Sequence, residues 1–332
     1  MMKKHSYVLS RVSVFMLLVL GFVSCEKPEK VAVSDNVKLS FDNPIIGVSY
    51  ESKAPINGDR FTTSNDAYPI GVWLMRGDTD EDIPQMNEFF NMRSRYLVLG
   101  GVGTWSFYPF GDDEKKKRSD IYIRKGLPVD IYAYYPWVND VDSITEIPFV
   151  SGSDDWMVAG PVELDEGQTS EDITVPLPFK HIMTCIQVYI ACRYTGTVVL
   201  ASMTLNDSKN RLVAAGHFNC KTGEISGERT GSITITPNLS LTNPASAYII
   251  MPEIDGLAQG ELTLSFVFNR TQVEQPFELP LQMELQDGSR KTIEKFSKGY
   301  KYVYQLTLDN TMNFKPVGVE TGWTDVDVPM PI

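Results

Sequence analysis

Residues 298–308 read KGYKYVYQLTL, and this stretch decides the fold class. Every second residue from Tyr300 to Leu308 is large and apolar or aromatic, and the residues between them are mostly polar. Because successive side chains of a β-strand point to opposite faces, a period of two over this length predicts a strand with one buried face and one face in water.

The same alternation recurs along the chain. It is clear at residues 37–41 and 262–268, and turn-forming sequences such as NGD at 57–59 separate the runs. One stretch, residues 83–92, favours a helix instead. Many short strands joined by turns predict an all-β chain built from β-sandwiches rather than a parallel α/β sheet.

The apolar run from 173 to 192 changes parity part-way. Its first large apolar residues, 173–179, share one parity, whereas 182–190 follow the other. One slipped residue turns every side chain to the opposite face, so a single regular strand cannot hold both sets. We therefore expect two strands, or one bulged strand, with the change near residues 180–181. Pro176 and Pro178 cannot donate to a ladder, so the first half should lie at an edge.

A polar, acidic stretch at residues 163–172 precedes this run and is typical of a boundary between domains. A chain of 332 residues is long enough for about two domains. We therefore predict an N-terminal β-sandwich at 37–168 and a C-terminal β-sandwich at 169–332.

The N-terminus predicts export with a lipid anchor. Lys3 and Lys4 precede an apolar run at 12–23, which Ser24 and Cys25 follow. A charged region, a short apolar region and a small residue before a cut form a signal peptide, here 1–24, and a Cys directly after the cut is typical of a bacterial lipoprotein. Acylated Cys25 would then hold the chain at the outer membrane. An ordinary secretory signal with an incidental Cys is the alternative.

The charge of the mature chain excludes nucleic acid as a partner. Residues 26–30, EKPEK, are polar and predict a flexible tether, which we place at 25–36. The formal net charge is −12, and removal of the signal with its three cations, Lys3, Lys4 and Arg11, makes it −15. Such a chain repels a phosphate backbone.

The sequence carries no recognisable catalytic or metal-binding motif. The spacing of Cys185, Cys192 and Cys220 fits no metal site, and buried free thiols are favoured over one disulfide. His181 lies between a predicted strand and an apolar run, which favours a structural histidine. We therefore predict no enzyme, no cofactor and no metal. A hydrolase with an unrecognised carboxylate pair stays open as a remote alternative.

Two aromatic clusters, at 105–110 and 132–137, are the remaining candidates for binding. Alternating tyrosines in the second cluster favour a buried face. If Trp105 and Trp137 were exposed instead, their flat rings could stack on sugars, so a glycan-binding surface lipoprotein is the alternative function.

The order of several segments resembles one known family. After the lipoprotein signal come VKLSF (37–41), YPIGVWL (68–74), WSFYPF (105–110) and DIYAYYP (130–136), and the series continues to a late Trp323. Each segment is weakly specific, but their order and spacing resemble the fimbrillin-like surface lipoproteins of Bacteroides and Porphyromonas.

This resemblance implies two tandem transthyretin-like β-sandwiches and assembly into pili for adhesion. It implies that a protease cuts after an Arg or Lys beyond the first strand, that this strand leaves, and that a strand from another pilus subunit replaces it. Here residues 37–50 would be the removable strand, and Arg60, or else Lys53, would be the processing site. A host or bacterial surface receptor is a further implied partner.

The C-terminal end departs from the family pattern. Subunits of a pilus stalk donate a C-terminal strand, but only nine residues follow Trp323 in this sequence. Val326 and Val328 alternate there, whereas Pro329 and Pro331 would stop a long ladder. A tip subunit, an anchor subunit or a stand-alone surface lipoprotein therefore fits as well as a stalk subunit.

Overall fold

The computed structural model describes residues 35–42, 45–46, 69–76, 90–99, 102–108, 117–152, 154–193, 196–269, 275–284, 290–308 and 314–321. These residues form strands and one 3-10 turn at Gln168–Ser170, so the all-β prediction is confirmed. No helix in the described part of the chain is long and apolar enough to cross a bilayer.

The strands are β1 (Asn36–Phe41), β2 (Ile45–Ile46), β3 (Ile70–Arg76), β4 (Met92–Leu99), β5 (Val102–Tyr108), β6 (Ile121–Arg124), β7 (Val129–Tyr135), β8 (Ile147–Val150), β9 (Met157–Leu164), β10 (Ile173–Val175), β11 (Pro178–His181), β12 (Thr184–Cys192), β13 (Val199–Asp207), β14 (Leu212–Phe218), β15 (Ile225–Thr230), β16 (Ser232–Ile235), β17 (Leu239–Ser240), β18 (Ala245–Met251), β19 (Ile254–Asp255), β20 (Leu262–Phe268), β21 (Gln275–Glu278), β22 (Gln282–Glu284), β23 (Arg290–Thr292), β24 (Lys295–Phe296), β25 (Lys301–Leu308) and β26 (Phe314–Thr321).

The stretch at 298–308 forms β25, and its alternation begins one step later than expected. Tyr302, Tyr304, Leu306 and Leu308 are buried, whereas Tyr300 is 51% exposed. Tyr300 precedes the first strand residue, so it takes no part in the pleat that turns the later members inward.

Two sheets make the sandwich of the first half. Their strand orders are β10-β1-β6 and β2-β11-β9-β7-β3-β4-β5. Alternate side chains of both sheets meet in one apolar core, as the period of two predicts. Fully buried members of this core include Leu39, Val72, Leu74, Ile123, Ile131 and Phe179.

A second pair of sheets follows the same principle. Their orders are β18-β12-β25-β26 and β16-β13-β20-β21, with β17 paired to β13 as well. The core between them includes Ile186, Val188, Leu205, Leu264, Phe266 and Tyr304.

A third apolar cluster joins the two sandwiches through the sheet β15-β14-β8. Trp73 and Tyr134 enter it from the first sandwich, Cys185 and Ile250 from the second, and Phe218 from β14. Contacts accordingly group Asn36–Ile332 into one compact unit.

Strands from the two sides of the predicted boundary between residues 168 and 169 pair with each other. Strand β8 pairs with β14, while β10 and β11 pair with strands of the first sandwich. Where the two domains divide therefore stays a prediction.

Three strands, β10, β11 and β12, cover residues 173–192, and the parity change falls between the last two. β11 ends at His181 and β12 begins at Thr184, which places the break beside the predicted position. β10 lies at the edge of its sheet, as predicted. The edge prediction is wrong for β11, which contains Pro178 and is paired with β2 on one side and β9 on the other. Of the predicted helix at 83–92, residues 83–89 lie outside the described residues, Phe90 and Asn91 form a bend, and Met92 already begins β4.

Candidate functional site

The opening strand β1 is the centre of the candidate site, because it fills a groove between two other strands. It runs parallel to β10, with Leu39 opposite Ile173, and antiparallel to β6, with Val37 opposite Ile123. β1 is therefore bonded along both of its sides. If it left, two ladders would open at once.

One face of β1 points into the core. Val37 is 5% exposed, Leu39 is 0% exposed and Phe41 is 5% exposed, whereas Lys38 and Ser40 between them are half-buried. The groove therefore offers three successive apolar pockets at the spacing of alternate strand residues.

The third pocket is aromatic. The ring of Phe41 meets Trp105 edge-on with centroids 5.8 Å apart, and it meets Phe107 in the same manner at 5.8 Å. Trp105 also donates its indole N–H to the backbone carbonyl of Asp42 at 3.1 Å. The edge strand β5 thus holds the end of β1 through ring contacts and one hydrogen bond.

The outward face of β1 is acidic around Lys38. The Lys38 ammonium pairs with the Asp120 carboxylate, and the Lys38 backbone N–H donates to Asp172 Oδ1 at 2.7 Å. A hydrogen bond from Lys38, and to a smaller extent one from Ser119, lowers the pKa of the Asp120 carboxyl. The hydrogen bond to Asp120 in turn raises the pKa of Lys38. One carboxylate therefore pairs with the cation of Lys38, and a second holds the backbone of the same residue.

After β1 the chain passes to the other sheet of the same sandwich. The Asp42 N–H donates to the carbonyl of Val175 at 2.9 Å, and β2 then pairs in parallel with β11, with Ile46 opposite Phe179. The opening segment 36–46 and residues 173–179 consequently run side by side through both sheets. The predicted removable strand, 37–50, corresponds to this segment as far as residue 46, while 43–44 and 47–50 lie outside the described residues.

Several predicted site residues also lie outside the described part of the chain. These are the lipid site Cys25 and the two processing candidates Lys53 and Arg60. Their roles stay predictions. The same holds for Val326 and Val328 near the C-terminal end.

The two tryptophans of the alternative glycan site are both half-buried. Trp105 lies against the opening strand, as described above. Trp137 donates its indole N–H to the Asn91 carbonyl at 3.1 Å, and the Arg93 guanidinium lies 5.3 Å from its ring centre. Glycan stacking on either ring stays a prediction, and it would have to use the ring surface that these contacts leave open.

His181 forms a buried pair that sequence reasoning did not find. Its Nδ1 is hydrogen-bonded to Asp155 Oδ1 at 3.0 Å and lies 2.9 Å from Oδ2, which has no hydrogen-bond partner among the described residues. Burial raises the pKa of the Asp155 carboxyl, and His181 opposes this rise. The environment is the structural one that was expected for His181, but its partner lies 26 positions away and left no signal in the sequence.

The three described cysteines are free, and two of them, Cys185 and Cys220, are fully buried. Burial raises the pKa of both thiols, so they stay protonated and unreactive at neutral pH. Among the residues that the structure describes, no group of three or more His, Cys, Asp or Glu side chains could hold a metal ion.

A cleft of about 360 Å³ lies in the seam between β16 and β18, which are edge strands of facing sheets. Buried Ile235 and Ala247 are among its apolar lining, and the half-buried ring of Tyr248 lines it as well. Its polar lining comes from Ser151, Asp154, Thr234, Thr236 and Ser246. Its volume lies at the lower end of the range that is typical of small-molecule sites.

Comparison with known proteins agrees with this architecture. A family model described as fimbrillin-like matches residues 62–323. A cell-adhesion candidate from Bacteroides uniformis has a similar fold, with a TM-score of 0.53 and 18% identity over 87% of this chain and 96% of its own. Another from Bacteroides fragilis has a TM-score of 0.51 and 13% identity over 88% of this chain and 100% of its own. The search of curated proteins found no match.

Proposed function

We propose that this chain, which belongs to the fimbrillin-like family, is a cell-surface subunit for fimbrial adhesion that joins its neighbours by exchanging its opening strand. Family membership supports the adhesive role and the surface location. One observation carries the exchange mechanism, namely that β1 fills a three-pocket groove while it is bonded to β10 on one side and β6 on the other.

The groove requires an occupant at all times. Burial of a large apolar side chain stabilises by about 1.5–3 kcal/mol, so three such side chains contribute about 4.5–9 kcal/mol in total. An empty groove would also expose the edges of β6 and β10. The opening strand should therefore leave only as another strand enters, rather than leave first.

Proteolysis supplies the trigger in this mechanism. While the chain is intact, the opening strand is tethered to its groove at a high effective concentration, which an incoming strand cannot match. Cleavage at Arg60 or Lys53 falls in the sequence between β2 and β3, so it would sever the opening segment without cutting any described strand. The opening strand then loses the advantage of its high effective concentration, and a strand from another chain can compete with it for the groove.

The same cut would detach the body from the membrane. Cys25 lies before β1, so a lipid on its thiol stays with the opening segment once the chain is cut after residue 53 or 60. Uncleaved chains are then outer-membrane lipoproteins, and cleaved chains are held by their neighbours in the fimbria.

Limited trypsin digestion of the lipid-free mature chain tests the trigger. We expect a new N-terminus at Phe61 or Ala54 and exchange of the opening segment for an added labelled peptide of residues 36–46. Both should be lost when Lys53→Ala and Arg60→Ala are combined. Lys125→Ala, which removes an exposed cation from a turn of the body, is the matched control and should behave like wild type. If the cut chain never exchanges its opening segment for the added peptide, strand exchange is wrong.

Glycan binding is a second candidate, because the seam cleft between β16 and β18 combines hydroxyls, a carboxylate and the Tyr248 ring. A glycan array probed with the uncut protein tests it. Loss of a signal in Tyr248→Ala but not in Trp137→Ala would favour the cleft, and the opposite result would favour the tryptophan alternative. If the wild type binds no glycan, this candidate is removed.

A further inference from the structure

We infer that the groove of β1 selects an incoming strand with the pattern apolar, basic, apolar, any, aromatic, and that this strand comes from a different protein. The inference rests on the proposed exchange mechanism and specifies its partner. It follows from the two faces that β1 presents and from where its pattern recurs in the sequence.

The inward face fixes the apolar positions. Val37 is 5% exposed and Leu39 is 0% exposed, and both belong to the apolar core of the first sandwich. The pocket of Phe41 is bounded by two aromatic rings, whose edge-on contacts favour another ring. A smaller side chain at either of the last two pockets would leave a cavity.

The outward face fixes the charge. The position of Lys38 lies beside Asp120, and Asp172 accepts the backbone N–H of the same residue. Any strand that takes the place of β1 in the same direction and register puts its second side chain beside Asp120, with the charge of Asp172 nearby. A Lys or Arg there is attracted, whereas an Asp or Glu meets two like charges.

The chain has no spare segment of this kind. Apart from residues 37–41, the pattern occurs once in the sequence, at residues 300–304. That copy belongs to β25, which is paired on both sides with β12 and β26 and contributes to the core of the second sandwich.

The alternating segment near the C-terminal end carries the wrong charge. Residues 326–330 read VDVPM, so Asp327 would take the position of Lys38. A Pro also follows the second valine, and no aromatic ring reaches the third pocket. A second copy of this chain therefore has no matching strand to give without opening its own groove or its own core.

Peptide competition on the nicked full chain tests the inference. The protein is cut by trypsin after residue 60, and fluorescent peptides are added; their incorporation is measured by anisotropy and native mass spectrometry. The peptides are residues 36–46, the same sequence with Lys38→Arg, the same with Lys38→Glu, and residues 322–332. We expect the Arg peptide to bind within about twofold of the native one and the Glu peptide to bind roughly tenfold more weakly. The peptide of residues 322–332 should not enter.

The preference for a basic second residue should come from the carboxylates of Asp120 and Asp172. In protein carrying Asp120→Asn and Asp172→Asn, the difference between the Lys and Glu peptides should shrink to about twofold, and high salt should have the same effect. Equal binding of the Lys and Glu peptides to the wild-type groove would overturn the inference and leave strand exchange intact. If residues 322–332 enter as well as the native peptide, the requirement for a different protein is wrong. If no peptide enters, not even the native one, the exchange mechanism itself fails.

Discussion

Trp105 and Asp42 are joined by a hydrogen bond of 3.1 Å from the indole N–H to the backbone carbonyl, at the point where the opening strand ends. The same indole meets Phe41 edge-on and stacks on Phe107 with planes 9° apart. One side chain of the edge strand β5 thus contacts both the last side chain of β1 and the backbone that follows it.

Because of this contact, Trp105 should report strand exchange by its fluorescence. When mild urea strips the opening segment from a nicked chain, the indole loses its hydrogen bond and one ring neighbour, and its emission should shift to longer wavelength. Refilling of the groove by the peptide of residues 36–46 should reverse the shift. The Trp105→Phe protein should show no shift under the same treatment; if it does, the signal comes from another tryptophan and the assignment is wrong.

Leu39 should contribute most to holding the strand in place. Leu39→Ala removes a fully buried side chain, so we expect the free energy of unfolding to fall by about 2–5 kcal/mol. Ser40→Ala changes the neighbouring, half-buried position on the outward face and should alter it by no more than about 0.5 kcal/mol. Urea denaturation of the uncut chain measures both. Equal effects at the two positions would contradict the assignment of faces.

Asp207 should make stability depend on pH at the turn between β13 and β14. Burial alone would raise its pKa, but the side-chain and backbone hydrogen bonds of Arg211 and the N–H of Lys209 outweigh burial and lower it. A lowered pKa means that the ionised carboxylate stabilises the fold above the unfolded-state value of about 3.8. This contribution is lost as the pH falls from there through the folded-state pKa.

Asp207→Asn should therefore reduce the free energy of unfolding by about 3 kcal/mol at neutral pH, and by progressively less below about pH 3.8. Denaturant titrations from pH 7 to pH 3 measure the difference between variant and wild type. Asp142→Asn, a change at an exposed carboxylate outside the strands, is a suitable control. A difference that stays constant down to pH 3 would mean that the carboxylate charge is not what stabilises this turn.

The strands themselves could be predicted from the sequence because the period of two is a local property. The stretch at 298–308 and the parity change near His181 each identified a strand or its end to within about two residues. The place of a strand in its sheet is not local: β1 lies beside β10 because Leu39 meets Ile173, a partner 134 positions away. No pattern inside β1 distinguishes a central strand from an edge strand.

Charge pairs were missed for a similar reason. Lys38 and Asp120 are unremarkable in the sequence, and their neighbours give no sign that one is to face the other. Only the antiparallel register of β1 with β6 brings them together. The candidate site was thus predictable as a segment, whereas its two-sided pairing and its acidic rim required the structure.

The buried pair of Asp155 and His181 should behave as a unit when it is mutated. His181→Ala leaves a fully buried carboxyl without its donor, so we expect a loss of about 3–5 kcal/mol in the free energy of unfolding. The double variant Asp155→Leu with His181→Leu removes both polar groups and should recover a large part of this loss, because the cost comes from the unpaired group rather than from the lost contact. Thermal and urea denaturation of the single and double variants measure the coupling. Strictly additive effects of Asp155→Leu and His181→Leu would mean that the two side chains stabilise the fold independently.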